Sequence, residues 1–220
     1  MRETIDGALF KDMFTAGALI VEENRQAINE LNVFPVPDGD TGTNMSLTMD
    51  NARSALSAIE PSGIGEAADI TANALLRGAR GNSGVILSLL FRGFARAVKD
   101  KKTADSKEFS AALTEGVAAA YKAVMKPSEG TILTVSRIAA AAACEAAENG
   151  LDIEGTLKAA IDAGYIALAE TVEQNPVLKK AGVIDAGGKG YMLMLDAMLS
   201  SVKGEAQAWP VVGARSPETR

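Results

Sequence analysis

The sequence contains no histidine, and this absence removes several common kinds of active site. It excludes a histidine general base, a Ser-His-Asp triad and every histidine-ligated metal centre. Cysteine is nearly absent too, since the 220 residues hold only Cys144. No disulfide can therefore form within the chain, and a reducing compartment is expected. Aromatic residues make up only 5%, which disfavours a sheet rich in Phe and Tyr.

Basic surface and membrane-spanning stretches are also lacking. The 22 Lys and Arg residues against 28 Asp and Glu residues give a net charge of −6, which argues against a nucleic-acid partner. Residues 1–12 are charged and lack the apolar centre of a secretory signal. No apolar run approaches the roughly 20 residues that a transmembrane helix needs. The sequence predicts a cytoplasmic protein without a transmembrane segment.

What the sequence does contain is apolar residues at helical spacing, with many alanines and 47% hydrophobic residues. The pattern predicts an all-α domain over residues 1–203 and no strand of useful length. Residues 204–220 show little periodicity and are expected to be a tail or the start of a linker. The predicted helices cover about 9–29, 43–59, 64–76, 85–98, 107–125, 131–148, 153–172 and 191–202.

A proline-braced acidic loop occupies residues 32–45, Asn-Val-Phe-Pro-Val-Pro-Asp-Gly-Asp-Thr-Gly-Thr-Asn-Met. Its two prolines stiffen the approach to a pair of carboxylates, Asp38 and Asp40. Hydroxyl and amide side chains follow at the start of the next helix. Hard oxygen ligands on a short loop at a helix N-terminus suit Mg²⁺ and phosphate together. The same residue types also form ordinary turns and helix caps, which is the alternative.

Glycine-rich segments precede three further helices. Residues 78–84, Gly-Ala-Arg-Gly-Asn-Ser-Gly, expose backbone amides that suit phosphate, and Asn82 or Ser83 is expected to cap the next helix. Helix packing explains this segment equally well, because it is neither a Walker A loop nor a G-x-G-x-x-G motif. Gly130 and Thr131 begin another helix. Asp185, among glycines, could contact a ribose or metal-bound water, or only brace a turn.

The order of the helices places these four segments together. In an up-and-down arrangement, alternate connections lie at the same end of the bundle. The loops near residues 38, 82, 128 and 186 follow the first, third, fifth and seventh predicted helices. We therefore expect one end of the bundle to carry the chemistry.

Four segments resemble the nucleotide-binding domain of bacterial fatty acid kinases, within the wider DhaL-like group of dihydroxyacetone kinases. They are residues 32–45, 77–88, 126–135 and 185–190, and the resemblance covers about residues 5–203. It implies an antiparallel eight-helix barrel of the DhaL type that binds ATP and two Mg²⁺ ions at one open end. It further implies an ATP-dependent phosphotransferase of phospholipid metabolism. Its substrate would be a fatty acid carboxylate, which becomes an acyl phosphate. A separate acyl-binding protein of the DegV/FakB type would present this substrate, and a homodimer is a further possible assembly.

The resemblance also implies residue roles where the motifs match. Asp38 and Asp40 would be the magnesium ligands and the catalytic carboxylates. The phosphates would be surrounded by residues that follow this pair and by the second glycine-rich segment, namely Thr41, Thr43, Asn44, Asn82, Ser83 and Gly84. Three residues of the later loops would lie nearer the nucleoside, namely Gly130, Thr131 and Asp185.

Two departures separate the sequence from dihydroxyacetone kinases and fit the fatty acid kinase branch. Those kinases carry a third aspartate where this sequence has Val33, so Asn32, water or another loop would complete the metal shell. They also have histidine where this sequence has Thr41. Family members usually continue into further domains, so this domain is expected to need them for turnover. A triose-type small-molecule kinase and a non-catalytic nucleotide-binding module remain as alternatives.

Overall fold

Helices account for most of the chain that the computed structural model describes, residues 1–205. Eight of these helices have 15 to 22 residues, and two short ones lie in the connections. The elements are β1 (Thr4–Ile5), α1 (Gly7–Glu23), α2 (Arg25–Leu31), α3 (Thr41–Ser57), α4 (Ile64–Gly78), α5 (Gly81–Ala97), β2 (Ala104–Asp105), α6 (Ser106–Ala123), α7 (Ile132–Glu148), α8 (Ile153–Gln174), α9 (Pro176–Ala181) and α10 (Ala186–Lys203).

The eight long helices form a closed ring. Each packs against the next long helix along the chain, and α10 lies between α8 and α1, which closes the barrel. This confirms the prediction of an all-α antiparallel eight-helix barrel. Because neighbouring helices alternate in direction, α3, α5, α7 and α10 all begin at one end, called here the cleft end.

The first predicted helix, over residues 9–29, is wrong as a single element. It is divided at Asn24, where the backbone has φ −96° and ψ 11°, and the Asn24 side chain donates to the Ile20 carbonyl oxygen at 2.9 Å. The Asn24 backbone amide donates to the same oxygen at 3.1 Å, so two donors share the Ile20 carbonyl where α1 ends and α2, which packs on α3, begins. The short helix α9 was not predicted; it begins at Pro176 in the first position, which suits proline, after the capping residue Asn175.

Glycine lets α5 and α6 approach each other closely. A Cβ atom built on Gly93 would lie 2.3 Å from the Glu115 carbonyl oxygen, and one on Gly116 would lie 2.2 Å from that of Leu90. Inside the ring, five phenylalanines pack with ring centroids 5.3–6.5 Å apart. The few aromatic residues of the sequence are thus concentrated in the barrel interior, and alanine and glycine form much of the helix contacts.

The remaining elements lie at the opposite end of the barrel. The strands β1 and β2 pair antiparallel with Ile5 opposite Ala104, and with two residues each they are too short to give an alternating pattern. Between residues 1 and 205, no helix has the length and apolar character needed to cross a bilayer. The expected tail is mostly residues 206–220, which lie outside the described residues, so that prediction stays open.

Candidate functional site

A cleft of about 460 Å³ opens at the cleft end of the barrel. Residues from all four glycine-rich or acidic loops line it, as the helix order predicts: 32–41, 81–86, 124–133 and 185–187 contribute. Its volume falls within the range of about 300–1,000 Å³ typical of small-molecule sites. Its lining combines carboxylate and hydroxyl side chains with aliphatic side chains of α5, of α7 and of the loop before α7.

Eight of the eleven predicted site residues line this cleft: Asp38, Asp40, Thr41, Asn44, Asn82, Ser83, Thr131 and Asp185. The other three lie behind the surface. The Thr43 hydroxyl accepts from the Asn29 side chain at 3.0 Å, buried Gly84 packs on Thr48, and the Gly130 amide donates to the Thr134 hydroxyl at 2.9 Å. The structure thus brings most of the set together, and the roles assigned to them remain predictions.

Asn32 holds the acidic loop in shape. Its side-chain oxygen accepts from the backbone amides of Asp40 at 3.0 Å and Thr41 at 3.1 Å, and its amide nitrogen donates to the Val36 carbonyl oxygen at 3.0 Å. Asn32 is only 6% exposed. Since both lone pairs of its oxygen are used, Asn32 is a brace for the loop and does not replace the missing third aspartate.

Asp38 and Asp40 keep their carboxylates free. Asp38 is exposed and Asp40 half-buried, and Asp40 occupies the N-cap position of α3 without making a side-chain capping bond. Among residues 1–205, neither forms an ion pair with lysine or arginine, and no group of three His, Cys, Asp or Glu side chains could hold a metal. The pair can offer two hard ligands to a cation that takes its other ligands from water or a bound anion.

The N-terminus of α5 differs from the other helix starts at the cleft. In α3, the amides of Thr41 and Thr43 donate to the side-chain oxygens of Asn32, at the end of α2, and of Asn29, within α2. Thr131 and Asp185 cap α7 and α10 with their own side chains. In the part of the chain that the structure describes, the first three amides of α5, those of residues 81–83, have no acceptor. Free amides at the positive end of a helix favour an anion there.

The expected capping of α5 by Asn82 or Ser83 is wrong, because α5 begins at Gly81 with Arg80 as its N-cap residue. The start of α5 is fixed to α3 instead. The Thr48 hydroxyl accepts from the Arg80 amide at 3.0 Å and donates to the Asn44 carbonyl oxygen at 2.6 Å. Gly81 has φ +63°, and a Cβ atom there would lie 2.4 Å from the Asn44 side-chain nitrogen. Only glycine suits both conditions, so the two loops are held in register.

Asp185 sits at the inner edge of the cleft and is 5% exposed. Its carboxylate accepts from the Gly188 amide at 2.8 Å, and its own amide donates to the Thr171 hydroxyl at 3.1 Å. Burial raises the pKa of Asp185 to about 6, against the opposing effect of bonds from the Gly188 and Ile132 amides. These contacts make Asp185 a turn brace at the start of α10, whose side chain also lines the cleft.

Sequence reasoning missed Asn32 as a brace, Thr48 as a link and Lys126 as a lining residue. A buried threonine within a helix and a lysine after a helix end carry no distinctive pattern.

Comparison with known proteins identifies the family. A sequence profile of the DAK2 domain matches residues 35–200, a range that contains every predicted site residue. The chain belongs to the DAK2 domain family.

Relatives with this domain are similar in sequence over nearly the whole chain. The YloV protein of Bacillus subtilis is 48% identical over 202 residues, which is 92% of this chain and 36% of that protein. An uncharacterized protein of Staphylococcus saprophyticus is 44% identical over 218 residues, 99% of this chain and 39% of that protein. The chain thus spans less than two fifths of the length of these DAK2 relatives.

Two solved structures share the fold of this DAK2 domain. The native dihydroxyacetone kinase of C. freundii superposes with a TM-score of 0.69 at 19% identity, over 91% of this chain and 36% of that one. The same enzyme in complex with AMP-PNP and Mg²⁺ superposes with a TM-score of 0.68 at 17% identity, over 91% and 35%. At these identities the likeness establishes the barrel architecture.

Proposed function

We propose that this DAK2 domain binds Mg·ATP in the cleft and transfers the γ-phosphoryl group to a fatty acid carboxylate that a separate acyl-binding protein presents. The observation that carries the nucleotide part is the pairing of two free carboxylates, Asp38 and Asp40, with the uncapped amides of α5 in one cleft. One of the two solved structures with the same fold is a dihydroxyacetone kinase in complex with AMP-PNP and Mg²⁺. This likeness supports a magnesium nucleotide as the ligand of this cleft.

The residues present fit a magnesium nucleotide. Asp38 and Asp40 would hold Mg²⁺, whose charge would offset that of the phosphates when it is bound. The amides of residues 81–83 would donate to phosphate oxygens, and the α5 dipole has the right sign for them. Aliphatic side chains of the lining, among them Val124 and Ile132, offer a surface for the base.

A carboxylate acceptor suits a site without histidine. A fatty acid is already ionised at neutral pH, so its oxygen can attack phosphorus without losing a proton to a general base. The new bond joins the carboxylate oxygen to the γ-phosphorus, the bond to the β–γ bridging oxygen breaks, and ADP leaves with that electron pair. The protein then has mainly to position the two reactants. This chemistry, together with Thr41 where dihydroxyacetone kinases have histidine, favours the fatty acid branch.

Isothermal titration with Mg²⁺ and AMP-PNP tests the nucleotide part. The variant carrying Asp38→Ala and Asp40→Ala should lose binding, while one carrying Asp12→Ala and Asp69→Ala, which removes two exposed carboxylates outside the cleft, should bind as the wild type does. Unchanged affinity in the first variant would remove the assignment of these aspartates.

Product analysis tests the acceptor. With a fatty-acid-loaded acyl-binding protein and the domains that accompany this one in its relatives, ATP should be converted to ADP and an acyl phosphate that hydroxylamine traps as a hydroxamate. ADP formation from dihydroxyacetone with no partner protein would instead establish the triose-type kinase. The fold shared with the C. freundii dihydroxyacetone kinase is the reason to test this acceptor. Nucleotide binding with no transfer to either acceptor would establish a non-catalytic module.

A further inference from the structure

The charges around the cleft are unbalanced. Its lining contains three carboxylates, those of Asp38, Asp40 and Asp185, and among the described lining residues a single cation, Lys126. A nucleoside triphosphate would add further negative charge to this end of the barrel. Among the described residues that line the cleft, Lys126 is therefore the one positively charged side chain that could offset this charge.

Lys126 is free to act on a ligand. It is exposed, and within residues 1–205 it makes no ion pair. The nearest acid along its loop, Glu129, is already engaged by Arg137 at 3.0 Å, by the Thr134 hydroxyl at 2.6 Å and by the Tyr121 hydroxyl at 3.1 Å. The Thr134 bond, with smaller help from Arg137 and Tyr121, lowers the pKa of Glu129 and keeps it ionised for this network.

The same network fixes the loop that carries Lys126. Glu129 ties the loop to Arg137 and Thr134 of α7, Tyr121 joins it from α6, and the Gly130 amide donates to Thr134 at 2.9 Å. Pro127, with its fixed φ, separates Lys126 from this anchored part. The loop therefore presents the lysine at the cleft wall with its ammonium group uncommitted.

From this geometry we propose that Lys126 binds the phosphate chain of the nucleotide from the wall opposite the acidic loop and stabilises the charge that develops on ADP as it leaves. This inference rests on the proposed function. Lys126 keeps its protons during transfer and acts as a hydrogen-bond donor and a charge. The aspartates would hold the cation, and the α5 amides would donate to the phosphates from one side. Lys126 would bind the phosphates from the other side.

The test compares three variants of the 220-residue chain by titration with Mg·AMP-PNP and, separately, with adenosine. Lys126→Gln should weaken Mg·AMP-PNP binding about 10-fold or more, because a charged hydrogen bond is lost, and should leave adenosine binding unchanged. Lys126→Arg should restore most of the affinity. Lys122→Gln, at an exposed lysine of α6 that does not line the cleft, should match the wild type.

The outcomes separate this inference from the function on which it rests. If Lys126→Gln binds Mg·AMP-PNP as the wild type does while the Asp38 and Asp40 double variant does not, the lysine assignment is overturned and nucleotide binding stands. Equal losses in Lys126→Gln and Lys122→Gln would also overturn it, since they would indicate a general charge effect. If the wild type binds no Mg·AMP-PNP, the inference and the proposed function fail together.

Discussion

The hydroxyl of Thr48 accepts a hydrogen bond from the backbone amide of Arg80 at 3.0 Å, which ties the middle of α3 to the first residue before α5. Thr48 is fully buried and also donates to the Asn44 carbonyl oxygen at 2.6 Å. Through this one side chain the helix that follows the acidic loop sets the position of the free α5 amides. The spacing between the two halves of the proposed phosphate site depends on it.

Thr48→Val should weaken both stability and Mg·AMP-PNP affinity. Valine keeps the shape but leaves the Arg80 amide without its acceptor, which should cost about 1–3 kcal/mol of unfolding free energy. Urea denaturation and isothermal titration measure the two effects. Thr48→Ser keeps the hydroxyl and should recover most of the affinity. A valine variant with wild-type affinity would show that this bond does not position α5.

Asn32→Ala should loosen the acidic loop and reduce Mg²⁺-dependent nucleotide binding. The substitution removes the acceptor of the Asp40 and Thr41 amides, at a cost of about 1–3 kcal/mol in stability. Asn29→Ala is the matched control, because Asn29 makes two similar bonds to Thr43, which does not line the cleft. We expect Asn29→Ala to lower stability and to affect binding less; equal losses of affinity would contradict the brace assigned to Asn32.

Asp185 should make the domain less stable as the pH rises from about 4 to about 6. Its pKa is raised from 3.8 to about 6 by burial, so over this window the folded state holds a proton that the unfolded chain has released. The contribution of Asp185 to the free energy of unfolding is therefore fully present below its pKa in the unfolded state. About 2–3 kcal/mol is lost as the pH rises through its pKa in the folded state. Asp185→Asn, which still accepts from Gly188, should remove this part of the pH dependence. Urea unfolding at pH 4 and pH 7 measures it, and an identical pH difference in both proteins would contradict it.

Gly81→Ala should weaken Mg·AMP-PNP binding in addition to lowering stability through backbone strain. Gly81 and Gly150 both have positive φ, +63° and +85°, but a Cβ atom on Gly150 meets nothing within 4 Å while one on Gly81 meets Asn44 at 2.4 Å. Both alanine variants should lose about 1–2 kcal/mol from backbone strain. Only Gly81→Ala should also lose Mg·AMP-PNP affinity. Equal binding by the two variants would show that Asn44 adjusts freely.

The barrel and the shared position of its loops could be predicted because both follow from helix periodicity and helix order. Seven of the eight long apolar patterns became one long helix each, and an even alternation of direction placed the loops near residues 38, 82, 128 and 186 together. The break at Asn24 could not be read in the same way. It coincides with a side-chain bond to Ile20 within a continuous apolar pattern and with the packing of α2 on α3, a contact that helix periodicity does not encode.

The site was predictable in membership more than in detail. Asp38, Asp40 and the glycine-rich segment before α5 could be picked out from residue types as parts of one end of the barrel, but the start of α5 at Gly81 depends on a contact with Asn44 of α3. The same holds for Thr43, whose hydroxyl faces Asn29 and not the cleft. Contacts between elements far apart in sequence leave no local signal, so pattern reasoning cannot separate lining residues from those just behind them.

Ring closure by α10 bears on the order in which the domain folds during synthesis. Asp185 and Gly187 of the cleft lining lie at the start of α10, while Asp38 and Asp40 precede α3. While a nascent chain has only α1 to α8 outside the ribosome, this part of the lining is missing, and a truncation before Asp185 removes it as well. The cleft is assembled only when α10 has packed between α8 and α1, so the barrel has to close before its open end can take its final shape.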